Sequence, residues 1–287
     1  MILASQGSLD IVGKLATLII ALTMYLYGNT LFANPETERA AFRAYFHAKF
    51  PDVKKSDFVN GVYALDKNSR EQWIEIEEFP PYEIAMGEGQ ELFDSTRFAN
   101  GNTYGDCFGD GLSIRKKYPY FDEERAQVVT MESAINDCRE KHGAAPLKYR
   151  AGDLAKISAY LSYRSRGEII DVALSSAGAI NAYEKGKKYY YTKRGQLNFA
   201  CVDCHVSSAG MRLRSEMLSP SLGHVSHFPV YRLKWGSIGT LHRRFNECNK
   251  QVRAKPQPGQ SEEYRNLEYF LSYMSSGLEF NGPGVRR

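Results

Sequence analysis

A mainly α-helical fold built as two tandem copies of one small domain is predicted for this 287-residue chain, and three observations predict it. Sliding the sequence against itself aligns 118–167 with 228–277 without a gap, so that Pro119 meets Pro229, Thr130 meets Thr240, Asn136 and Cys138 meet Asn246 and Cys248, and Pro146 meets Pro256. Both copies close on a helix-like segment, with ISAYLSYRSRG (157–167) lying over LEYFLSYMSSG (267–277). The third observation is Cys201-Val202-Asp203-Cys204-His205, the C-x-x-C-H pattern on which a haem is hung through two thioether bonds, with the imidazole that follows set beneath the iron. A thioredoxin-like redox pair, half a zinc site and a structural disulfide are the other readings of two such cysteines; the adjacent His and the lack of a second C-x-x-C weigh against all three. A Gly-containing helix, a cysteine, irregular Gly-rich chain, a second cysteine and a terminal amphipathic helix make up each copy, which is the build of a small c-type cytochrome. The expected fold is therefore two tandem cytochrome-c-like domains.

Taken in order, residues 15–33 carry no charge, follow Lys14 and end at Ala33 before the polar NPETERA. This is the shape of a secretory signal, expected over 1–33, although Leu31 is not the small residue usual two positions before a cleavage point and the run is near the length of a membrane anchor. Export suits covalent haem attachment, places the mature chain in the periplasm of a Gram-negative source, and would let Cys107 and Cys138 pair. The first domain, with an N-terminal extension, is expected over 34–175 and the second over 176–287, the boundary marked by Gly167 and by SSAGA at 175–179. In the second copy the opening helix is predicted over Ile180–Arg194 and the last over Glu262–Ser276, where Tyr264, Leu267, Phe270, Leu271 and Met274 recur at helical spacing as core residues.

The haem pattern fails in the first copy. Aligning Cys107 with Cys201 puts Asp110 in place of the second thiol and Gly111 in place of the imidazole, so the first domain is expected to lack haem and the chain to carry one covalent haem c, on Cys201 and Cys204 with His205 as axial ligand. Of five cysteines, Cys107 and Cys138 then share a domain and Cys248 stands alone.

A lone cysteine in an exported protein is a reactive thiol or an intermolecular partner. Five Lys or Arg lie between Arg243 and Lys255 around Cys248. Nearby positive charge favours the thiolate and attracts small dianions. Any one of these bases reads more readily as part of a solvated face, but Arg244 is the exception: it precedes Cys248 by one helical turn, and its counterpart in the haemless copy is Ala134. The formal net charge of +4 is mild, and no basic run is interleaved with aromatics, so no nucleic-acid partner is expected.

FVNGVYALD (58–66), EEFPPYEIAMGEGQELF (77–93), YPYFD (118–122), INDCR (135–139), CVDCH (201–205), RFNECNKQVRAKP (244–256) and SSGLEFNGPGVRR (275–287) together carry a resemblance. Over essentially its whole mature length the chain resembles the SoxA subunits of L-cysteine S-thiosulfotransferase, the thiosulfate-oxidising cytochrome. The resemblance implies two cytochrome-c-like domains with the active haem in the second. It makes Cys248 the second axial ligand and the persulfide-bearing catalytic residue, and Arg244 a substrate-binding residue. Asp110 and Gly111 depart from members with a haem in each domain and place the chain with the monohaem type, in which a disulfide, here Cys107 to Cys138, fills the vacated position.

The expected activity is oxidative coupling of thiosulfate to a cysteine of the SoxYZ carrier protein, with electrons passing through haem to the partner cytochrome SoxX in a heterodimer. Two competitors remain at the level of sequence. One is a plain electron-transfer cytochrome with Met211, Met217, His224 or His227 as sixth ligand. The other is a degenerate haem-binding scaffold that only positions partners.

Overall fold

The computed structural model describes residues 34–286. The expected signal segment, 1–33, lies outside the described residues, and among the described residues no helix is long and apolar enough to cross a membrane. Contacts divide the chain between Ala44 and Tyr45 into two units. The boundary falls within α1 (Pro35–Lys49), and both copies of the repeat lie in the second unit.

The first copy contains α2 (Lys67–Glu77), α3 (Tyr82–Ser95), the short α4 (Gly105–Phe108), a β1–β2 hairpin (Tyr120–Asp122, Gln127–Val129), α5 (Met131–Lys141) and α6 (Asp153–Tyr163). The second contains α7 (Ala177–Tyr191), a β3–β4 hairpin (Arg212–Leu213, Glu216–Met217), β5 (Val230–Arg232), β6 (Ser237–Gly239), α8 (Leu241–Gln251), α9 (Glu262–Ser275) and β7 (Gly284–Arg286). Strand β5 pairs antiparallel with β6 and parallel with β7.

The internal repeat is structural. Tyr120 opposes Val129 in the first hairpin and Val230 opposes Gly239 in the second, the same register at the aligned positions. Helices α5 and α8 occupy aligned spans, each preceded by an extended threonine, Thr130 and Thr240. Asn136 Nδ2 donates to the Leu147 carbonyl at 2.9 Å, and Asn246 Nδ2 to the Gln257 carbonyl at 3.0 Å, so the same side chain braces the same loop twice. The helix pairs cross at glycine: a Cβ at Gly89 of α3 would overlap the Lys156 carbonyl of α6, and one at Gly186 of α7 the Asn266 carbonyl of α9. A glycine there lets two backbones touch, which is why a helix-weakening residue stands in mid-helix.

Helix α7 begins three residues before the predicted start. Ser176 caps it, its side chain accepting from Ala179 N at 3.0 Å, and extended Thr192 ends it. Helix α9 runs over its predicted span but for the last residue, with Leu267, Phe270, Leu271 and Met274 buried as the stripe requires.

The interior of the first copy is filled. Phe93, Phe98, Tyr104, Phe108, Ile135, Leu154, Ile157 and Leu161 form one buried cluster. Gly111, at φ +77°, lies against Leu161, so a side chain there would be both strained and obstructed. Cys107 and Cys138 are joined by a disulfide in this copy.

Candidate functional site

One cavity of about 320 Å³, lined mostly by the second copy and also by Gly61, Val62, Tyr63 and Ser69, gathers Cys201, Cys204, His205, Arg244 and Cys248, which are up to 47 positions apart in sequence. Cys201 opens a short helical turn that continues as a π-helical stretch, Asp203–Ser207, carrying Cys204 and His205. Asp203 caps the turn by accepting from Ala200 N at 2.7 Å. Lys49 Nζ, from the end of α1, donates to the carbonyls of Val206 at 2.8 Å and Ser207 at 2.7 Å and ties down the far side.

His205 Nδ1 donates to the Ser219 carbonyl at 2.9 Å, which fixes the tautomer and leaves the Nε2 lone pair for a metal. Burial pushes this imidazole down to about 4, with the Ser219 hydrogen bond opposing and the Arg244 charge adding, so it is neutral at pH 7. Burial likewise pushes the Cys201 thiol up to about 11, the nearby Arg194 guanidinium opposing, and raises Cys204. Cys201, Cys204 and Cys248 are all free thiols, and Leu241, Phe245, Leu267 and Leu271 supply apolar wall. Two thiols, an imidazole with its Nε2 unprotonated and an apolar slot are the donor set and lining that a haem c requires.

Helix α8 brings Arg244 and Cys248 onto one face, as the four-residue spacing predicts. The Arg244 side chain is 24% exposed and lines the cavity, so it is not a solvated surface base. Burial weakens its charge, but Cys248 and then Glu247 hold the proton on it, and its pKa is raised. Arg243 points elsewhere: its guanidinium stacks 4.2 Å from the Trp235 ring and Nη1 donates to Ser237 Oγ at 3.0 Å.

The rival sixth ligands are placed differently. Met211 is 62% exposed and does not line the cavity. Met217, His224 and His227 do line it. His224 Nε2 is hydrogen-bonded to Ser219 Oγ at 2.6 Å, which engages that nitrogen, whereas His227 Nδ1 donates to the Val59 carbonyl at 3.3 Å and so, like His205, keeps its Nε2 lone pair.

Ser219 and Glu247 are among the residues at the site that escape a reading of motifs. Ser219 acts through its backbone carbonyl, which leaves no trace in side-chain chemistry. Glu247 accepts from Arg244 Nη1 at 3.3 Å and from Trp235 Nε1, and its only signal is the spacing of three residues from Arg244.

Residues 88–170 match the family model described as the SoxA/TsdA cytochrome c domain, which places a cytochrome c domain in the copy without the haem pattern. The chain is 52% identical to the L-cysteine S-thiosulfotransferase subunit SoxA of Allochromatium vinosum over 95% of its length and 98% of the relative's. It is 53% identical to that of Chlorobaculum tepidum over 86% of each. In three dimensions it resembles a chain of the crystal structure of SoxXA from P. pantotrophus, with a TM-score of 0.70 and 26% identity over 76% of this chain and 84% of that one.

Proposed function

Because the chain belongs to the SoxA family of L-cysteine S-thiosulfotransferase subunits, we propose that it is the catalytic subunit of a periplasmic cytochrome that couples thiosulfate oxidatively to a carrier-protein cysteine. The observation that carries this reading is the convergence of Cys248 and Arg244, one helical turn apart on α8, with Cys201, Cys204 and His205 in one cavity. In this reading the signal peptide over 1–33 directs export, 34–175 is a haemless domain braced by the Cys107–Cys138 disulfide, and 176–287 carries a single haem.

Cys201 and Cys204 would hold haem c covalently, and His205 Nε2 and Cys248 Sγ would hold its iron. When bound, haem c supplies a one-electron acceptor, and a partner cytochrome, SoxX, takes the electrons onward. Coupling forms one S–S bond between the outer sulfur of thiosulfate and the thiol sulfur of the carrier, SoxYZ. One proton and two electrons leave. Arg244 binds the dianion, its planar fork meeting two oxygens at once. Cys248 handles the transferred sulfur beside it, one helical turn from Arg244.

Replacing Cys248 by Ala tests the reading. Haem content should stay at one per chain, the absorption spectrum should change, and thiosulfate-dependent turnover with carrier and electron acceptor should cease. Unchanged turnover would overturn the catalytic role and leave a plain electron-transfer cytochrome.

A further inference from the structure

Arg232 lies at the end of β5 with a side chain only 6% exposed, and lines the same cavity as Arg244 and Cys248. Both guanidiniums are held by one carboxylate oxygen: Glu247 Oε2 is 3.3 Å from Arg244 Nη1 and 3.6 Å from Arg232 Nη1. The other oxygen of Glu247 accepts from the Trp235 indole, whose ring stacks on Arg232 at 5.5 Å. Glu247 therefore fixes the pair as a unit, with Trp235 as its floor.

The first copy carries the inverse arrangement at the aligned positions. Asp122 stands where Arg232 does, Arg125 where Trp235 does, Asp137 where Glu247 does, and Ala134 where Arg244 does. There one guanidinium bridges two carboxylates, Arg125 Nε to Asp122 at 2.8 Å and Nη1 to Asp137 at 2.7 Å, on an exposed surface. The same scaffold thus holds two acids on one base in the haemless copy and two bases on one acid in the other. At the aligned positions alone, the charge changes from net negative to net positive, and it does so beside Cys248. A buried guanidinium is costly unless an anion meets it.

Arg232 already meets a second anion, Glu216 Oε2 at 3.6 Å, which comes from the β3–β4 hairpin and is 53% exposed. An exposed carboxylate reaching in from a hairpin to a buried guanidinium is in the position an incoming oxyanion would take.

We infer that Arg232 is a second anion-binding residue of this site, gripping a divalent sulfur oxyanion together with Arg244, and that Glu216 is a placeholder which that anion displaces. The inference rests on the proposed function for the identity of the anion, thiosulfate.

The test is steady-state kinetics in thiosulfate with the holo-protein in complex with its partner cytochrome, at saturating carrier and electron acceptor. Arg232→Ala should raise the KM for thiosulfate about tenfold or more while kcat falls less, as expected when a charge-assisted contact present in both ground and transition states is lost. Arg232→Lys should recover only part of this, because an ammonium cannot replace the planar fork. Glu216→Gln should lower KM about two- to threefold, a direction that damage to the structure would not produce. Asp122→Ala, at the aligned position of the other copy, should match the wild type. An unchanged KM in Arg232→Ala with normal haem content would overturn the inference. Loss of haem content at unchanged KM would overturn it too, by making Arg232 a haem partner. If Arg232→Ala does not fold, a wild-type KM in both Arg232→Lys and Glu216→Gln is the overturning result. Turnover surviving in Cys248→Ala would defeat the proposed function, and is read separately because it concerns kcat and not KM.

Discussion

Gly87 and Gly89 lie two residues apart on the same helix, α3, and alanine should act on them with opposite sign. At Gly87 an added Cβ meets nothing within 4 Å. The substitution there gains helix propensity and restricts the unfolded chain, worth about 0.5–1 kcal/mol of stability. At Gly89 the same Cβ would overlap the backbone carbonyl of Lys156 and press on Ile157 N at 3.1 Å. A flexible side chain could yield, but a helix backbone cannot without moving α6 away and opening the contacts of Leu154, Ile157 and Leu161 with Phe93. Overpacking of this kind costs about 1–3 kcal/mol, and a backbone-to-backbone clash belongs at the upper end, so after the propensity gain Gly89→Ala should lose about 2 kcal/mol. Urea unfolding at 25 °C followed by far-ultraviolet circular dichroism, with the disulfide intact, would separate the two variants by about 2–3 kcal/mol. Stability of Gly89→Ala at or above the wild type, or changes of the same sign and size at both positions, would refute the close-crossing argument, and with it the equivalent reading of Gly186 against Asn266.

The remaining predictions concern the site and the buried charges. Replacing Cys107 and Cys138 together by Ser should lower stability by about 3–4 kcal/mol in the chain-entropy picture for a separation of 31 residues, measured by urea unfolding; a loss below about 1 kcal/mol would contradict it. Arg244→Ala should impair thiosulfate use strongly at unchanged haem content, while Arg243→Ala, whose side chain sits on Trp235 outside the cavity, should do much less; equal small effects would mean a diffuse electrostatic patch. Burial, and next the charge of Glu268, raise the Glu132 carboxyl, so the folded protein holds that proton above the ordinary carboxylate pKa of about 4.3. A raised folded pKa gives stability that is present below the unfolded pKa and is lost as pH rises through the folded one. Glu132→Gln should therefore gain thermal stability relative to the wild type between pH 5 and pH 8, and a difference independent of pH would argue against the shift.

Periodicity and the repeat made the long helices legible. The stripe Leu267, Phe270, Leu271 and Met274 defined α9 because one helix face was apolar and its ends were polar. The start of α7 was missed by three residues because the apolar pattern begins after the cap, and the cap is a single serine among several. The short strands were not legible, being three residues or fewer and held by register with a partner. At the site, Cys201, Cys204, His205, Arg244 and Cys248 stand out by type and spacing, and the structure brings them into one cavity. The residues that orient them do not: the Ser219 carbonyl is backbone, and Glu247 resembles any other acid on a helix. The packed interior of the first copy was legible only as a broken motif, since the filling by Phe93, Tyr104 and Leu161 depends on tertiary contact.

The disulfide of the first copy joins Cys107 and Cys138, and their aligned counterparts in the second copy are Cys201 and Cys248. One pair of attachment points therefore recurs, closed by a direct covalent bond in one copy and facing a common cavity in the other. In the proposed holo-protein both members of the second pair would hold the prosthetic group. Seen as engineering, the domain has a fixed pair of struts and an interchangeable spacer between them.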